Sequence, residues 1–384
     1  MNLITAAHNL IHALTHMETI HGAPSYSLSS GLVTLYVTKD GGHLAPVKFK
    51  IDDRIVSPYA LAPWLPDEID PSLPVLLKSL RGDFLCLPFG PQAGGPPHGE
   101  TANAAWKFVS QDDHSLTLEI EASDVSAKIT KTLSVRPGET AVYLTHHIDG
   151  LEGDWSYGTH PILDLSNLPA GSARLSVSPF RWASVYPEYF SNPADGAHQQ
   201  LEIGAIFSDL SEVPLADGGT TDLSYYPSNA KSDDLVMMVS EASTPEQPFA
   251  WSACVFDGYV WFALKNPTQF PATMFWLSNG GRSAAPWNSR HTARIGIEDI
   301  CSHFCDSVDV SRKDLLHNLG IPCTRNFSKD QPVTLKNIQA VAAVSRKFGK
   351  VDSIVPVSET EIRITSENGD MVTVPLDWKF VVGC

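Results

Sequence analysis

Short apolar runs separated by turn residues fill most of the chain from Tyr26 onward. In residues 115–121, Leu and Ile alternate strictly with polar residues, which is the pattern of a strand with one buried face. Runs of this kind predict strands at residues 32–38, 115–121, 127–135, 140–148, 174–177, 200–206, 234–239, 251–255, 259–264, 274–278, 292–297, 332–344, 351–357, 361–365 and 371–375. Strands and helices do not alternate regularly, so the sequence predicts a mainly β protein, a large antiparallel β-sandwich.

Two segments have helical patterns instead. In residues 2–19 apolar residues recur at helical spacing, and His8, His12 and His16 would lie along one side of that helix. Such a row either chelates a metal or forms a solvated face. Because no Cys or carboxylate cluster accompanies it, the sequence favours the solvated face and no metal site. Residues 311–319 predict a short helix that begins at Ser311 and stops at Gly320.

These patterns divide the chain into three parts. They are an N-terminal helical extension over residues 1–25, a β-sandwich over residues 26–322 and a small C-terminal β module over residues 323–384. In the last part, Asn368-Gly369 predicts a tight hairpin turn, because both residues tolerate positive φ angles. Residues 187–198 and 209–232 are long and irregular, and we expect such loops to lie over a binding face.

The charge balance argues against several partners. The 384-residue chain has a formal net charge of −16, whereas a broad surface for nucleic acid or an anionic membrane needs clustered positive charge. The N-terminus lacks the features of a secretory signal, and no stretch reaches the roughly 18 apolar residues of a spanning helix, so a cytoplasmic protein is expected. The six cysteines form no CxxC pair and are expected to be reduced thiols. A homo-oligomer is compatible with the sequence.

Residues 80–106 combine Gly and Pro with charged and aromatic side chains, which predicts a shaped functional loop. The loop contains Arg81, His98, Glu100 and Asn103. Further along, His160 lies in a Thr-His-Pro segment, and Glu298 follows the apolar run Ile-Gly-Ile. A neighbouring proline limits the backbone freedom of each histidine, and partial burial would raise the pKa of Glu298 toward that of a useful base. A His and a carboxylate in one pocket suffice for general acid–base catalysis.

Four short motifs stand in order along the chain. They are Arg81-Gly82-Asp83 leading to Phe89-Gly90, His98-Gly99-Glu100-Thr101-Ala102-Asn103 followed by Trp106, Thr159-His160-Pro161-Ile162-Leu163-Asp164-Leu165, and Gly296-Ile297-Glu298. In residue types, order and spacing this set resembles the motifs of the aldose 1-epimerase (galactose mutarotase-like) family, including its hexose-6-phosphate mutarotase branch. The resemblance covers roughly residues 26–304 and leaves out both ends of the chain.

The resemblance implies a galactose mutarotase-like sandwich that binds a sugar in a cleft across one sheet. It also implies an isomerase that interconverts the α and β anomers of an aldose without a cofactor. In that reaction Glu298 takes the proton of the anomeric hydroxyl, and His160 protonates the ring oxygen. The other residues expected to line the sugar site are Arg81, His98, Asn103, Trp182 or Trp287, and Asn288.

Two departures from the family pattern change the expected substrate. Where the phosphosugar branch has Phe and Arg in the second motif, this chain has Glu100 and Ala102. A phosphate normally needs an Arg or Lys in charge-assisted contact, so an unphosphorylated sugar is expected. Two other functions stay open. One is a non-catalytic carbohydrate-binding protein on the same scaffold, and the other is a glycoside hydrolase or lyase that uses Glu100 and Glu298. Arg81 has the alternative role of anchoring the loop.

Overall fold

Five antiparallel strands form the first sheet of the protein, whose computed structural model describes residues 17–383. They are β1 (Met17–Ile20), β2 (Ala23–Ser29), β3 (Val33–Thr38), β4 (Leu44–Ile51) and β5 (Arg54–Val56). Each strand pairs with the next one along the chain. Apolar residues alternate with polar ones in β3 and β4, and Leu35, Val37, Val47 and Phe49 bury that face in the main core.

Most of the remaining strands belong to two larger sheets. Up to residue 185 they are β6 (Leu85–Cys86), β7 (Lys107–Gln111), β8 (Ser115–Ala122), β9 (Ala127–Ser134), β10 (Ala141–Asp149), β11 (Gly153–Trp155), β12 (Tyr157–Thr159), β13 (Ile162–Asp164), β14 (Ala173–Val177) and β15 (Phe180–Val185). From residue 206 they are β16 (Ile206–Phe207), β17 (Val213–Pro214), β18 (Thr220–Thr221), β19 (Tyr225–Tyr226), β20 (Asp233–Ser240), β21 (Ala250–Phe256), β22 (Tyr259–Lys265), β23 (Ala272–Ser278), β24 (Arg294–Cys301), β25 (Arg325–Phe327), β26 (Val333–Ala343), β27 (Val351–Ser358), β28 (Glu361–Ser366) and β29 (Met371–Pro375). The helices are short: α1 (Val75–Lys78), α2 (Val308–Ser311), α3 (Lys379–Val382), and 3-10 turns at Glu100–Ala102, Pro193–Asp195, Leu210–Glu212 and His317–Leu319.

The two large sheets share one apolar core. One sheet has nine strands in the order β19-β14-β21-β22-β26-β10-β9-β8-β7. The other has eight, in the order β16-β15-β20-β23-β24-β12-β6, with β13 paired to β24. Leu144 and Trp261 of the first sheet, and Phe275 and Ile297 of the second, are fully buried in the core that the sheets share with the five-stranded sheet. Successive side chains alternate between the faces of a strand, so the residues between these point away from this main core.

Both outer faces are covered as well. The three-stranded sheet β27-β28-β29 and α3 cover the nine-stranded sheet, where Phe262 and Ile338 meet Ile354 and Ile364 in a separate apolar cluster. Loops within residues 58–106 and 280–322 cover the eight-stranded sheet. For this reason β21, β22, β23 and β24 are buried along their whole length rather than alternately. The loop-covered face contains the candidate site.

The predicted mainly β sandwich is confirmed, and most predicted strands are present within a residue or two. Residues 200–206 are an exception, since only Ile206–Phe207 pair as a strand. The Asp234 side chain accepts the backbone N–H groups of Gln200 and Leu201 at 3.1 Å each, in place of a strand ladder. The predicted helix at 311–319 is also wrong. Ser307 caps α2 four residues earlier, and the chain leaves the helical region at Asp314, which has a φ of 52°.

Both ends of the chain differ from their predicted boundaries. Residues 1–16, with His8, His12 and His16, lie outside the described residues. Met17–Ile20, where the predicted helix was to end, pair with β2 as strand β1. At the other end, the predicted module starting at residue 323 would include β26, but β26 lies between β22 and β10 in the nine-stranded sheet. The separate sheet of the C-terminal module starts at Val351.

Candidate active site

A cavity of about 350 Å³ opens on the loop-covered face of the eight-stranded sheet. Most of its lining is aromatic or aliphatic and includes Leu76, Leu77, Leu80, Phe84, Phe190, Leu235, Met274, Trp276 and Trp287. A smaller set of polar side chains also lines it, namely His98, His160, Tyr186, Arg282, Glu298 and Asp306. An apolar cavity with a few convergent polar groups is the usual composition of a small-molecule site.

The centre of this cavity is a contact between a histidine and a carboxylate. His160 Nε2 lies 3.3 Å from Glu298 Oε1, and the two side chains are 7% and 1% exposed. Backbone bonds fix both residues. The N–H of Ile297, next to Glu298, donates to the carbonyl of Pro161, next to His160, at 2.8 Å. The N–H of His160 donates to Asp83 Oδ1 at 2.8 Å. The pair is therefore held by the strand β24 and by the segment that follows Arg81.

Aromatic rings pack against the histidine of this pair. The His160 ring stacks on Phe84 with a centroid distance of 4.6 Å and meets the edge of Trp276 at 5.7 Å. Burial lowers the pKa of His160 and raises the pKa of Glu298, because both charged forms lose hydration. Glu298 Oε2 and His160 Nδ1 form no hydrogen bond to any residue within 17–383. Both atoms are buried as well as unpaired within that range.

His98 is the third titratable group of this centre. Its ring meets the His160 ring edge to face at 5.2 Å. The N–H of Gly90 donates to His98 Nδ1 at 3.2 Å, so the proton of the neutral ring resides on Nε2. Burial and the nearby His43 lower the pKa of His98 to about 3. His98 is therefore a neutral hydrogen-bond donor at the cavity wall.

Arg282 is a cation whose charge is already balanced. Asp233 Oδ1 accepts from Arg282 Nη2 at 2.9 Å and Nε at 3.1 Å, and from Trp276 Nε1 at 2.8 Å. The guanidinium carbon lies 4.4 Å from the ring centroid of Phe190 and 4.6 Å from that of Trp287. Aromatic stacking and the carboxylate together orient this group at the cavity. Nη1 is not used in the pair with Asp233.

Asp306 places a second carboxylate at the cavity. Tyr186 Oη donates to Asp306 Oδ1 at 2.6 Å, and His303 Nδ1 contacts Asp306 Oδ2 at 2.7 Å. Each carboxylate oxygen accepts more than one hydrogen bond, so Asp306 retains capacity for a ligand hydroxyl. The cavity thus presents an acid–base pair, a neutral donor, a balanced cation and an acceptor.

The structure brings together three of the predicted site residues, His98, His160 and Glu298, and with them Trp287. The remaining predicted side chains do not line the cavity. Arg81 is buried elsewhere and donates to the carbonyls of Ile20, His21 and Ser79, which is the anchoring role. Asn103 holds the backbone of Leu76, Pro97 and Gly99. Trp182 packs edge-on against Phe304. Asn288 sits at a positive φ in a turn and bonds Pro286.

Glu100 does not share the cavity with Glu298 either. Its carboxylate accepts the backbone N–H and the hydroxyl of Ser123, both at 2.6 Å. The carboxylate pair considered for a hydrolase is therefore not assembled. Three polar side chains of the cavity were not predicted from the sequence, those of Arg282, Asp306 and Tyr186. The only local signal is the Asn-Gly-Gly turn before Arg282, which is common in loops.

Three further features bear on the kind of site this could be: the cysteines, metal-binding clusters and membrane-spanning helices. Cys86, Cys254, Cys301, Cys305 and Cys323 form no disulfide within residues 17–383. Within residues 17–383, no group of three or more His, Cys, Asp or Glu side chains is arranged to hold a metal ion. No helix in the same part of the chain is long and apolar enough to cross a membrane.

Several solved structures are similar to this chain. A galactose mutarotase related enzyme from Lactobacillus acidophilus matches 84% of this chain and 98% of its own, with a TM-score of 0.54 and 10% identity. A proposed aldose 1-epimerase from Escherichia coli K12 matches 83% of this chain and 99% of its own, with a TM-score of 0.54 and 14% identity. A galactose mutarotase-like protein from Lactobacillus casei matches 83% and 100%, with a TM-score of 0.51 and 13% identity. This chain therefore has the galactose mutarotase-like fold.

No family model and no curated protein matches the sequence. The fold is thus established by structure, and an activity can be inferred only from the geometry of the cavity.

Proposed function

We propose that this protein is an aldose 1-epimerase, which interconverts the α and β anomers of an aldose. The observation that carries the proposal is the 3.3 Å contact between His160 Nε2 and Glu298 Oε1 inside an apolar cavity. Anomer exchange needs one group that takes a proton and one that gives a proton, a few ångströms apart and shielded from water. This pair supplies both.

The reaction follows from the chemistry of a cyclic hemiacetal. Glu298 removes the proton of the anomeric hydroxyl while His160 protonates the ring oxygen, so the bond between C1 and the ring oxygen breaks and C1 becomes a carbonyl. Rotation about the C1–C2 bond presents the other carbonyl face. The reverse proton transfers then close the ring to the opposite anomer, and both residues return to their starting state.

The pair has one transferable proton, and the cycle starts with that proton on His160. Burial raises the pKa of Glu298 and lowers that of His160, which favours the proton on Glu298 before the substrate binds, so the proton must first cross the 3.3 Å contact to His160. One proton shared by two coupled groups belongs to the pair, wherever it resides before the substrate binds. A pair with one transferable proton is what ring opening and closing both require.

The charges around the cavity favour a neutral aldose as the substrate. Arg282 is balanced by Asp233, and Asp306 and Glu298 are acidic. A phosphate would therefore meet carboxylates without an unpaired cation to receive it. In this proposal Asp306 and Arg282 bind sugar hydroxyls, His98 donates from Nε2, and the aromatic side chains cover the apolar face of the ring.

Anomer interconversion measured by polarimetry or exchange NMR tests the proposal. A panel of freshly dissolved aldoses and their 6-phosphates should show acceleration by the protein, strongest for unphosphorylated sugars. Glu298→Gln and His160→Asn should each lower kcat by about 10²–10⁴-fold, the usual contribution of a general acid or base. Glu121→Gln and His114→Asn are controls at exposed positions and should keep the wild-type rate.

Two results would contradict the proposal in different ways. Sugar binding without any acceleration by the wild-type protein would indicate a carbohydrate-binding protein on this scaffold. Release of new reducing ends from oligosaccharides would indicate a hydrolase.

A further inference from the structure

A chain of buried hydrogen bonds runs from the nine-stranded sheet to the backbone of His160. Trp261 Nε1–H donates to Tyr59 Oη at 3.1 Å, and Tyr59 donates to Gln339 Oε1 at 2.6 Å. Gln339 Nε2–H donates to Asp83 Oδ2 at 2.8 Å, and Asp83 Oδ1 accepts the N–H of His160 at 2.8 Å. Every side chain from Trp261 to Asp83 is at most 3% exposed. The chain thus crosses the main core from one large sheet to the other.

The direction of every bond in this chain is fixed by its two ends. The indole N–H of Trp261 and the backbone N–H of His160 can only donate. Two donors at the ends require a residue between them that only accepts, and an ionised carboxylate is such a residue. With Asp83 ionised, each of the four hydrogen bonds of the chain has one donor and one acceptor. An amide at this position would leave one donor without an acceptor, whichever way Gln339 is turned.

A buried cation accompanies this carboxylate. Lys131 is 1% exposed, donates to the carbonyl of Gly42 at 2.6 Å and lies over the Trp106 ring at 5.3 Å. Burial raises the pKa of Asp83 to about 6, and the charge of Lys131 opposes that rise. Burial lowers the pKa of Lys131 to about 8, and Asp83 opposes that fall. The nearby Lys131 thus favours the ionised carboxylate that the hydrogen-bond directions require of Asp83.

We propose that Asp83 is a positioning residue, which holds the peptide of His160 so that the imidazole meets Glu298 at the distance needed for proton transfer. The inference rests on the proposed function, since it concerns the same acid–base pair. Asp83 does not line the cavity and cannot touch the substrate. Its own backbone is clamped to β4, because its N–H and carbonyl both bond Leu44, at 3.1 and 2.7 Å.

The His160 peptide is thereby held from two directions. Asp83 binds its N–H, and Ile297 binds the carbonyl of the following Pro161. Loss of the first contact would let the segment before β13 turn about the second. A displacement of about 1 Å in a reacting group can cost roughly 10²-fold in rate. The expected defect is thus in kcat, with KM changed little.

Asp83→Leu, Tyr59→Phe and Tyr226→Phe form a matched series. Asp83→Leu removes the acceptor of the His160 N–H, which an amide at this position could still supply, and Tyr59→Phe removes a hydroxyl two bonds further away. Tyr226→Phe removes one buried hydrogen bond outside the chain, from Tyr226 Oη to the carbonyl of Arg294. Each variant loses buried hydrogen bonding, so all three should be destabilised. If Asp83 positions His160, Asp83→Leu should lower kcat by about 10–100-fold, Tyr59→Phe by less, and Tyr226→Phe by less than twofold.

A readout independent of activity separates this inference from the proposed function. In ¹⁵N-histidine NMR, the ring signals of His160, assigned through His160→Asn, should shift in Asp83→Leu and stay in place in Tyr226→Phe. If the wild-type protein has no mutarotase activity but Asp83→Leu shows this shift, the positioning role is supported and the proposed function is rejected. If Asp83→Leu does not fold, Gln339→Met, which removes the donor to Oδ2, must show the shift and a reduced kcat. Unchanged His160 signals, or a kcat loss no larger than in Tyr226→Phe, would overturn the inference.

Discussion

At the scale of single residues, Gly296 has the most direct influence on the acid–base pair. It precedes Glu298 by two positions on β24, so both residues face the same side of the sheet. A Cβ atom at Gly296 would lie 2.5 Å from Glu298 Oε1 and 3.1 Å from the Cβ of Trp276. The first contact is with the end of a flexible side chain, which can move, whereas the surrounding backbone cannot. A methyl group here would displace the carboxylate rather than the strand.

Gly296→Ala should therefore reduce activity far more than stability. We expect a loss of about 10–100-fold in kcat, because the carboxylate moves away from His160 Nε2. The free energy of unfolding should change by no more than about 1 kcal/mol, since an alanine also restricts the unfolded chain. Anomerisation kinetics and urea unfolding of the same preparation measure both quantities.

Ile295→Val on the opposite face of β24 is the control for Gly296→Ala. It should lower stability by about 0.5–1.5 kcal/mol and leave kcat unchanged, because it removes a methylene from the main core only. Wild-type kcat in Gly296→Ala would mean that the catalytic carboxylate is elsewhere.

The sequence identified residues of the pair better than the residues around it. His160 and Glu298 stand in motifs whose order could be recognised, and a proline or an apolar strand marks each of them. The family resemblance places Arg81 at the sugar, because a sequence does not reveal where a guanidinium donates. Its partners are the carbonyls of Ile20 and His21, about 60 residues earlier in the chain. Asp83 gains its role from Gln339, which is 256 positions away.

At the scale of elements, β26 decides where the sandwich ends. Its apolar pattern was visible in the sequence, but its partners were not, because pairing between distant strands leaves no local signal. The strand lies between β22 and β10 and is buried on both faces. The module that follows, β27 to β29 with α3, instead covers the outer face of the nine-stranded sheet.

Two truncations distinguish the roles of these elements. A chain that ends at Pro322 lacks β26 and splits the nine-stranded sheet, so we expect it to have no cooperative unfolding transition. A chain that ends at Val344 keeps every strand of that sheet but exposes the outer face, with Tyr143 and Phe262. It should retain the β-type circular dichroism spectrum, bind a hydrophobic dye and self-associate. Cooperative unfolding of the shorter chain would show that β26 is dispensable.

At the scale of the whole molecule, several titratable side chains are buried in the interior. Strand patterns predicted a sandwich with an apolar core, and the core between the large sheets is apolar. They did not predict the buried Lys131, Asp83 and His146, because a polar residue on a strand reads as solvent-facing until its neighbours are known. His146 shares the inner face of β10 with Leu144 and Ile148. Its Nε2 has no hydrogen-bond partner among the described residues.

This buried histidine makes stability depend on pH. Burial, with a smaller contribution from Lys131, lowers the pKa of His146 well below its usual 6.5. The unfolded chain takes up a proton as the pH falls through 6.5 and the folded protein does not. The contribution of the neutral His146 to the free energy of unfolding is therefore present above pH 6.5 and lost below it.

His146→Leu cannot take up this proton, so it does not lose stability in this way at low pH. Urea unfolding at pH 7.5, 6.5 and 5.5 measures the difference in free energy of unfolding between the variant and the wild type. Below pH 6.5 this difference should change in favour of the variant by up to about 1.4 kcal/mol per pH unit. The exposed His114→Leu should show no such trend. A constant difference between His146→Leu and the wild type would mean that the folded protein accepts a proton at His146.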